Sequence, residues 1–476
     1  MYYKVNIVNK FLICILLGFC FANCNLEIEA PIESEKRKPA RYSVLKKYIL
    51  KTPKEKAAST FKEAKLGKLP NECDERQTRI SPNLFYFSCF RIINGKWSIV
   101  VNDKHSAFYD RIKGPVFSLN DRHLAYIAIN YYNKRNDTLV LDGENIDTFQ
   151  EIKGISFSPN SQQLFVNIRD KSINYNNMYS KNYTRIKQIV FSSDSNNLAF
   201  IAVVDKDFFV VKNGEEGPKF DDVSNLVFGP KNELSYTAKL GNKSFQVSNG
   251  VIGEKYNGVG KVIYSPNGKR HCYIVYKNKK AAIILDGKIG KFYKNVYNPV
   301  FSPNSEDFMY SADTQSYNSF VVLNGVPGTI YGWHNYLTFG LKNQIAYTAS
   351  NINSDKQFVI FNGKKGKPYK LISYPVISPE GKQIAYKVTS DGLIVLNGVE
   401  GKAYYSTVSD PIFSPDGKHL TYTVNDEFVV INEIEQPKYK KVYTQSLRYD
   451  KNSKYLVYIA LDHQNYIWRK VVKLNN

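Results

Sequence analysis

The chain has 476 residues and a formal net charge of +22, from 65 Lys and Arg against 43 Asp and Glu. In a cytosolic protein, a charge of this size suggests nucleic acid as the partner. Here the lysines are spread over predicted turns, as at Lys269, Lys382 and Lys418, and the N-terminus is typical of export. These two features exclude nucleic acid. They leave either a solvated, lysine-rich surface or attraction to an anionic glycan, lipid or acidic protein.

Residues 1–24 are typical of an export signal. Lys4 and Lys10 give a positive start, and residues 11–22 form an apolar run. The run is too short to cross a membrane, which takes ~20 apolar residues. We therefore predict an exported protein, in the bacterial cell envelope or secreted.

The end of this run, Phe21-Ala22-Asn23-Cys24, resembles a bacterial lipobox. The resemblance implies a lipid anchor on Cys24 and a membrane-anchored protein facing the periplasm or the surface. The usual leucine and the usual small residue are missing at Phe21 and Asn23, a departure that looser lipoboxes tolerate. The alternatives are ordinary cleavage after Ala22, which gives a secreted protein, and a retained anchor.

Residues 25–62 are charged and poor in aromatic residues. Ala57 and Ala58 favour helix, so part of the segment is expected to be helical. The rest is typical of a mobile tether, because it has too few apolar residues to form a core. We predict a tether over 25–62 and a repeat region over 63–476.

A short phrase recurs through the repeat region, and its fullest copy is Phe413-Ser414-Pro415-Asp416-Gly417-Lys418. Clear copies begin at Phe157, Tyr264, Phe301 and Ile377, and weaker copies begin at Ile80, Phe117, Phe191, Phe228, Phe339 and Tyr449. Successive copies start 34 to 40 residues apart. A regular period in this range indicates a repeat architecture.

Each repeat reads as four short strands. The apolar residues that open the phrase form the first, and its proline and glycine supply a turn. A second strand follows with two bulky residues two positions apart, such as Leu420 and Tyr422. A β-branched third strand ends in Asn-Gly, as at Asn397-Gly398, which is the strongest short hairpin signal. The fourth strand is expected to hold a tyrosine such as Tyr369, and the third repeat, which lacks Asn-Gly, is expected to be irregular.

Four-stranded units of this size bury their apolar faces only by stacking, and radial stacking makes a β-propeller. The phrase resembles the WD40-like, TolB-type propeller repeat over roughly residues 80–476. The fold class is therefore all-β, a propeller of about eleven repeats. Two abutting rings of about five and six blades are slightly favoured because propellers typically have ~4–8 blades, and one large ring is the alternative. The segment 64–79 is expected to supply the strand that the last repeat lacks.

Three cysteines lie outside the signal region: Cys73, Cys89 and Cys272. Cys73 and Cys89 flank the first strand and could form a disulfide in an oxidising envelope, the alternative being two buried thiols. Cys272 lies in a second strand, where burial is expected. No cysteine spacing indicates zinc.

No group of residues assembles into a catalytic or metal site. The six histidines are scattered singly, and no nucleophile elbow, His-Glu-x-x-His or phosphate-binding glycine loop is present. We predict no enzyme, no cofactor and no metal.

Most of the 36 tyrosines recur at fixed repeat positions and are expected to pack between blades. A minority on loops are candidates for a recognition surface, because aromatic residues are enriched in binding sites. Trp333 and His334 are the clearest departure from the repeat. The candidate recognition residues are Trp333, His334, Tyr131, Tyr132, Tyr404 and Tyr405.

The predicted function is an exported, lipid-anchored propeller that acts as a non-catalytic protein-binding platform in the bacterial envelope. The TolB resemblance implies envelope or surface proteins as partners, although TolB itself has a further domain that the short charged segment here does not match. The alternatives are a carbohydrate- or polyanion-binding adhesin and an enzyme on the propeller scaffold. The enzyme would need acids or histidines from several blades at one channel mouth.

Overall fold

The computed structural model describes residues 61–131, 136–175 and 178–475. Within these ranges the chain forms eleven antiparallel sheets, one for each predicted repeat, which we call blades 1 to 11. The signal region, the predicted tether as far as residue 60, and Tyr132 lie outside the described residues.

Blades 1 to 6 follow one another along the chain. Blade 1 contains β2 (Arg79–Ile80), β3 (Phe87–Ile93), β4 (Lys96–Val101) and β5 (Lys104–His105); blade 2 contains β6 (Arg111–Phe117), β7 (Leu124–Ile129), β8 (Asp137–Leu141) and β9 (Glu144–Phe149); blade 3 contains β10 (Ile152–Phe157), β11 (Leu164–Ile168), β12 (Ser172–Tyr175) and β13 (Met178–Tyr179). Blade 4 contains β14 (Arg185–Phe191), β15 (Leu198–Val204), β16 (Asp207–Lys212) and β17 (Glu215–Glu216); blade 5 contains β18 (Asp222–Phe228), β19 (Leu234–Leu240), β20 (Lys243–Ser248) and β21 (Val251–Ile252); blade 6 contains β22 (Gly258–Val259), β23 (Ile263–Tyr264), β24 (His271–Lys277), β25 (Lys280–Leu285) and β26 (Lys288–Ile289).

Blades 7 to 11 complete the series, and β1 (Ala64–Lys68) joins the last of them. Blade 7 contains β27 (Val296–Phe301), β28 (Phe308–Asp313), β29 (Ser319–Leu323) and β30 (Val326–Pro327); blade 8 contains β31 (Trp333–Phe339), β32 (Ile345–Ser350), β33 (Gln357–Phe361) and β34 (Lys364–Lys365); blade 9 contains β35 (Val376–Ile377), β36 (Ile384–Val388), β37 (Leu393–Leu396) and β38 (Val399–Glu400). Blade 10 contains β39 (Ile412–Phe413), β40 (Leu420–Val424), β41 (Phe428–Ile431) and β42 (Ile434–Glu435); blade 11 contains β43 (Lys441–Val442), β44 (Arg448–Tyr449), β45 (Tyr455–Leu461) and β46 (Tyr466–Lys473). Two short 3₁₀ helices, Glu75–Gln77 and Thr444–Ser446, precede the phrase in blades 1 and 11.

The repeated phrase forms the turn between the first and second strands. In blade 10 the Ser414 hydroxyl donates to the Asp416 carboxylate at 2.6 Å and accepts from the His419 amide at 3.0 Å. The same carboxylate accepts from the Lys418 amide at 3.1 Å. Gly417 has φ of +76°, which an L side chain rarely adopts. Serine and aspartate therefore hold this turn through hydrogen bonds, and glycine suits its positive φ.

The turn also links neighbouring blades. In several blades the residue at the position of Gly417, the fifth of the phrase, has a positive φ. Its side chain accepts a hydrogen bond from a backbone amide of the preceding blade. Ser161, Ser195, Ser305 and Ser453 accept from Asn120, Asn160, Asn267 and Asp416 at 2.9–3.2 Å, and Asp121 accepts from Asn83 at 3.0 Å. These bonds fix the spacing of the blades on the face that carries the turns.

The blades form one closed ring, and the slightly favoured arrangement of two rings is not observed. First strands of successive blades approach one another, for example β10 with β6 and β14 with β18, which makes them the innermost strands. Blade 11 then packs on blade 1: Phe87 of blade 1 and Ile459 of blade 11 lie in one buried cluster. Arg448 donates to the carbonyl oxygen of Pro82 across the same junction. Because this junction joins the last blade to the first, the ring has eleven blades.

The predicted closing strand is confirmed. β1 pairs antiparallel with β46, placing Ala64 opposite Arg469 and Lys68 opposite Tyr466. The Lys65 ammonium lies 3.1 Å from the centre of the Tyr466 ring, a cation–π contact. The first described residues therefore supply the outer strand of the last blade.

The interior is filled by the recurring aromatic residues. Tyr126, Tyr386, Tyr422 and Tyr458, all in second strands, are among the largest fully buried side chains. The tyrosines expected in fourth strands lie elsewhere: Tyr369 follows the two-residue strand β34 and forms a single bridge with Gln357. The fourth strands of blade 1 and of blades 3 to 10 have only two residues each, whereas β9 of blade 2 has six.

The cysteines outside the signal region occupy two settings. Cys73 and Cys89 are joined by a disulfide with an S–S distance of 2.17 Å, in the cluster where blades 11 and 1 meet. Cys272 is a buried thiol, and burial raises its pKa to about 12. It is therefore protonated and unreactive at neutral pH.

Candidate functional site

One position of every repeat, three residues before the residue that opens the phrase, lies in or next to the innermost strand. We call these residues the channel ring. In blade order they are Gln77, Gly114, Gly154, Gln188, Asn225, Lys261, Asn298, Tyr336, Tyr374, Asp410 and Ser446. The next position is proline or an aliphatic residue in ten of the eleven repeats, whereas this position carries chemically different residues.

The backbone is irregular at this position in several blades. In blades 2, 4, 5, 7 and 8 the pairing of first and second strands slips at this position, which is a β-bulge. Asn298 and Tyr336 have φ of +52° and +54° there. A positive φ is unusual for tyrosine, and bulges re-aim side chains and recur near functional sites.

Four consecutive residues of the channel ring, in blades 7 to 10, together with Asn335 beside Tyr336 in the chain, form what we call the aromatic arc: Asn298, Asn335, Tyr336, Tyr374 and Asp410. The Asn298 amide nitrogen donates to the Asn335 side-chain oxygen at 3.3 Å. The rings of Tyr336 and Tyr374 lie 6.2 Å apart at 61°. Both are exposed, at 42% and 47%. Two exposed aromatic rings and two amide side chains thus lie in or next to the innermost strands of blades 7 to 9.

The charge within the arc is balanced. The Lys387 ammonium lies 3.1 Å from the Asp410 carboxylate, and both side chains are partly buried. Partial burial, reinforced by the negative charge of Asp410, raises the pKa of the Tyr374 hydroxyl. The phenol is therefore neutral at physiological pH and can donate a hydrogen bond.

A second exposed feature lies on the outer strands, and we call it the outer rim: Val251, Ile289, Val326, Val399 and Ile434. These residues follow the turn between third and fourth strands in blades 5, 6, 7, 9 and 10. Their side chains are 50–71% exposed. The aliphatic row is interrupted, because blades 6 and 8 carry Lys288 and Lys364 at the position that Val251, Val326, Val399 and Ile434 occupy.

The recognition residues predicted from sequence are not brought together. Tyr131 lies in a turn of blade 2, while Tyr405 follows blade 9 and is 84% exposed. Tyr404 is half-buried and packs edge-on against Tyr422 and Phe428. Trp333 is partly buried in β31.

His334 is buried, and so is not part of an exposed surface. It is 3% exposed on the innermost strand of blade 8, facing blade 7. Its Nδ1 shares a hydrogen bond with the Ser319 hydroxyl at 2.8 Å, while its Nε2 has no partner among the described residues. Burial lowers the pKa of His334 to about 4, against the opposing effect of nearby Asp313. The imidazole is therefore neutral at physiological pH.

Tyr336 and Tyr374 were not singled out by the sequence analysis. The signal was available: both stand three residues before the phrase, where the repeat has no preferred residue. The exposure of these two residues does not follow from the phrase alone, because the width of the central opening depends on the number of blades in the ring.

Within the described part of the chain, no group of three or more His, Cys, Asp or Glu side chains is placed to hold a metal ion. Among the same residues, no helix has the length and apolarity needed to cross a bilayer. The exposed groups of the aromatic arc and the outer rim are suited to binding.

No family model matches the chain, and no curated protein matches it. Solved structures with a similar arrangement include the eukaryotic initiation factor, with TM-score 0.37, 12% identity, and coverage of 65% of this chain and 93% of that one. The Dos1 propeller has a TM-score of 0.31 and 10% identity, and the match covers 67% of this chain and 92% of that one. Dihydro-heme d1 dehydrogenase NirN, in complex with DHE, has a TM-score of 0.29 and 14% identity, and the match covers 66% of this chain and 72% of that one. Likenesses this distant carry no argument about function.

Proposed function

We propose that this protein is an exported, lipid-anchored β-propeller that binds protein partners in the bacterial envelope and catalyses no reaction. The observation that carries the proposal is the outer rim, where Val251, Val326, Val399 and Ile434 occupy one repeat position and are exposed. Exposed aliphatic side chains in a regular row are typical of surfaces that a partner covers.

The rim can contribute appreciable binding free energy. Fully burying an exposed valine or isoleucine contributes about 1.5–3 kcal/mol, so covering one of these residues, at 50–71% exposure, contributes about 1–2 kcal/mol. Several such residues are enough to hold a partner against the cost of association. Because this contribution is apolar, it persists at high salt, which distinguishes it from attraction to the net charge of +22.

The cellular location in this proposal comes from the sequence. The positive, apolar start and the lipobox-like Cys24 support membrane anchoring, with a secreted form as the alternative. The phrase supports placing the repeats with the WD40-like, TolB type. An oxidising compartment also suits the Cys73–Cys89 disulfide.

A second candidate function is carbohydrate binding. The aromatic arc favours it, because exposed tyrosine rings beside amide groups lie on the inner strands of three consecutive blades.

The protein-binding proposal is tested by capture of partners from solubilised envelope on immobilised residues 61–476. We expect a defined protein to survive a high-salt wash, and to be lost from the variant V251T/V326T/V399T/I434T, which adds a hydroxyl at each position and keeps the side-chain volume of the three valines. The matched control K288T/K364T changes the same position in blades 6 and 8 and should retain the partner. Equal capture by all three proteins would contradict the role of the rim, and loss of all material in salt would indicate a polyanion ligand.

A further inference from the structure

The tyrosines of the aromatic arc differ from the other tyrosines of the repeats. Those of the second strands, such as Tyr126 and Tyr422, are fully buried and fill the interior. Tyr336 and Tyr374 instead expose nearly half of their surface on the innermost strands. Tyr336 does so in a backbone conformation that disfavours its residue type. Packing therefore does not explain why tyrosine occupies these two positions.

We propose that the aromatic arc is a binding site for a neutral sugar, in which a pyranose ring lies against Tyr336 and Tyr374. The inference rests on the second function above and is independent of the outer rim. A pyranose has flat faces of C–H groups and an edge of hydroxyls. The tyrosines offer matching apolar faces with polar tips.

The amide groups supply the hydrogen bonds that hydroxyls require. Asn335 already accepts, through its side-chain oxygen, from the Asn298 amide and from the Tyr336 backbone at 2.8 Å. No hydrogen bond in the described part of the chain engages the Asn335 amide nitrogen or the Asn298 side-chain oxygen. One donor and one acceptor are therefore held in place beside the rings and remain open to a ligand.

The balance of charge selects a neutral ligand. An organic cation would also suit two aromatic faces, but the carboxylate it would need, that of Asp410, is already paired with Lys387. An anion would be repelled by the Asp410 carboxylate, and the arc has no unpaired cation to offset that repulsion. A sugar with no charge needs neither, and the Asp410 carboxylate can accept from one of its hydroxyls.

The test is calorimetric titration of the purified full-length protein, in a detergent without a sugar headgroup, with maltotetraose, cellotetraose and N-acetylchitotetraose. We expect at least one of them to bind with an affinity that does not change with salt. Y336N, which keeps a residue tolerant of positive φ, and Y374S should each weaken that binding by about tenfold or more. Y336F keeps the ring and should retain most of the affinity.

The matched control is Y317N. Tyr317 is also exposed, at 63%, and has φ of +61°, but lies in the turn between β28 and β29 rather than in the arc. Its replacement should leave sugar binding unchanged. The proposal is overturned if none of the three sugars binds, or if Y336N and Y374S bind as the wild type does. Binding by choline or polyphosphate instead, with loss in salt, would also overturn it. Partner capture through the outer rim should be unaffected by either arc variant, so the two proposals fail separately.

Discussion

His334 illustrates how a residue that breaks the repeat can serve the interior of the ring. It lies between blades 7 and 8, with Ser319 on one ring nitrogen and the rings of Tyr297 and Tyr347 nearby. Protonation would place a charge in a site with little water, which is why the pKa of His334 is lowered to about 4. Asp313 offsets part of this effect.

This lowered pKa predicts a dependence of stability on pH. In the unfolded chain the His334 imidazole has a pKa of about 6.5, whereas in the folded chain its pKa is about 4. Between these two pH values the unfolded chain binds a proton that the folded chain does not. Stability from this residue is therefore complete above the unfolded pKa and falls as pH drops, by up to about 3 kcal/mol. Urea midpoints measured between neutral pH and about pH 4.5 should show a smaller acid loss for H334Q than for wild type. The exposed H463Q should behave as wild type, and identical profiles for H334Q and wild type would contradict the assignment.

Sequence reasoning succeeded where one residue type has one physical role. The phrase around Ser414 and Gly417 requires its residues for a particular turn, so the number of blades could be read directly. The prediction that Trp333 and His334 lie on a recognition surface was wrong for His334. Both residues lie on an inner strand, where the face that a side chain occupies decides whether it is buried. His334 is buried in β31, and regular alternation would place Tyr336, two residues on, on the same side; the bulge at Tyr336 breaks that alternation and leaves Tyr336 exposed.

At the scale of elements, one strand near the start of the described chain, β1, completes the last blade and closes the ring. β1 brings Leu66 into the cluster shared by blades 11 and 1, and Arg469 of β46 donates to the Lys62 carbonyl at 2.9 Å. The Cys73–Cys89 disulfide lies in the same cluster. The closing junction is thus reinforced by pairing, apolar packing and a covalent bond.

Removing β1 should loosen blade 11 specifically. A chain that starts at residue 69 leaves the outer edge of β46 unpaired, whereas a chain that starts at residue 61 keeps the strand. We expect faster amide hydrogen exchange in β46 in the shorter chain, since those amides lose their partners. Exchange in β28 (Phe308–Asp313), far along the ring, should be equal in the two. Equal protection of β46 in both chains would show that β1 does not close the blade.

At the scale of the whole molecule, one ring of eleven blades explains how both candidate surfaces arise. Closing eleven blades into one ring leaves the inner strands around a wider opening than a smaller ring would have. Inner-strand side chains such as Tyr336 are then exposed rather than packed against the opposite blades. The outer rim follows from the same repetition, since one position recurs at each blade edge. The sequence predicted the blades but not their arrangement, because the count of repeats does not set the angle between neighbouring sheets.

The most direct test of this account is electron cryomicroscopy of the purified protein, with class averages viewed along the ring axis. The account predicts a single ring of eleven spokes around one central opening, with no gap between the blades at Phe87 and Ile459. Two smaller rings of five and six blades would contradict it, and would remove the basis for the aromatic arc as a surface of one continuous channel.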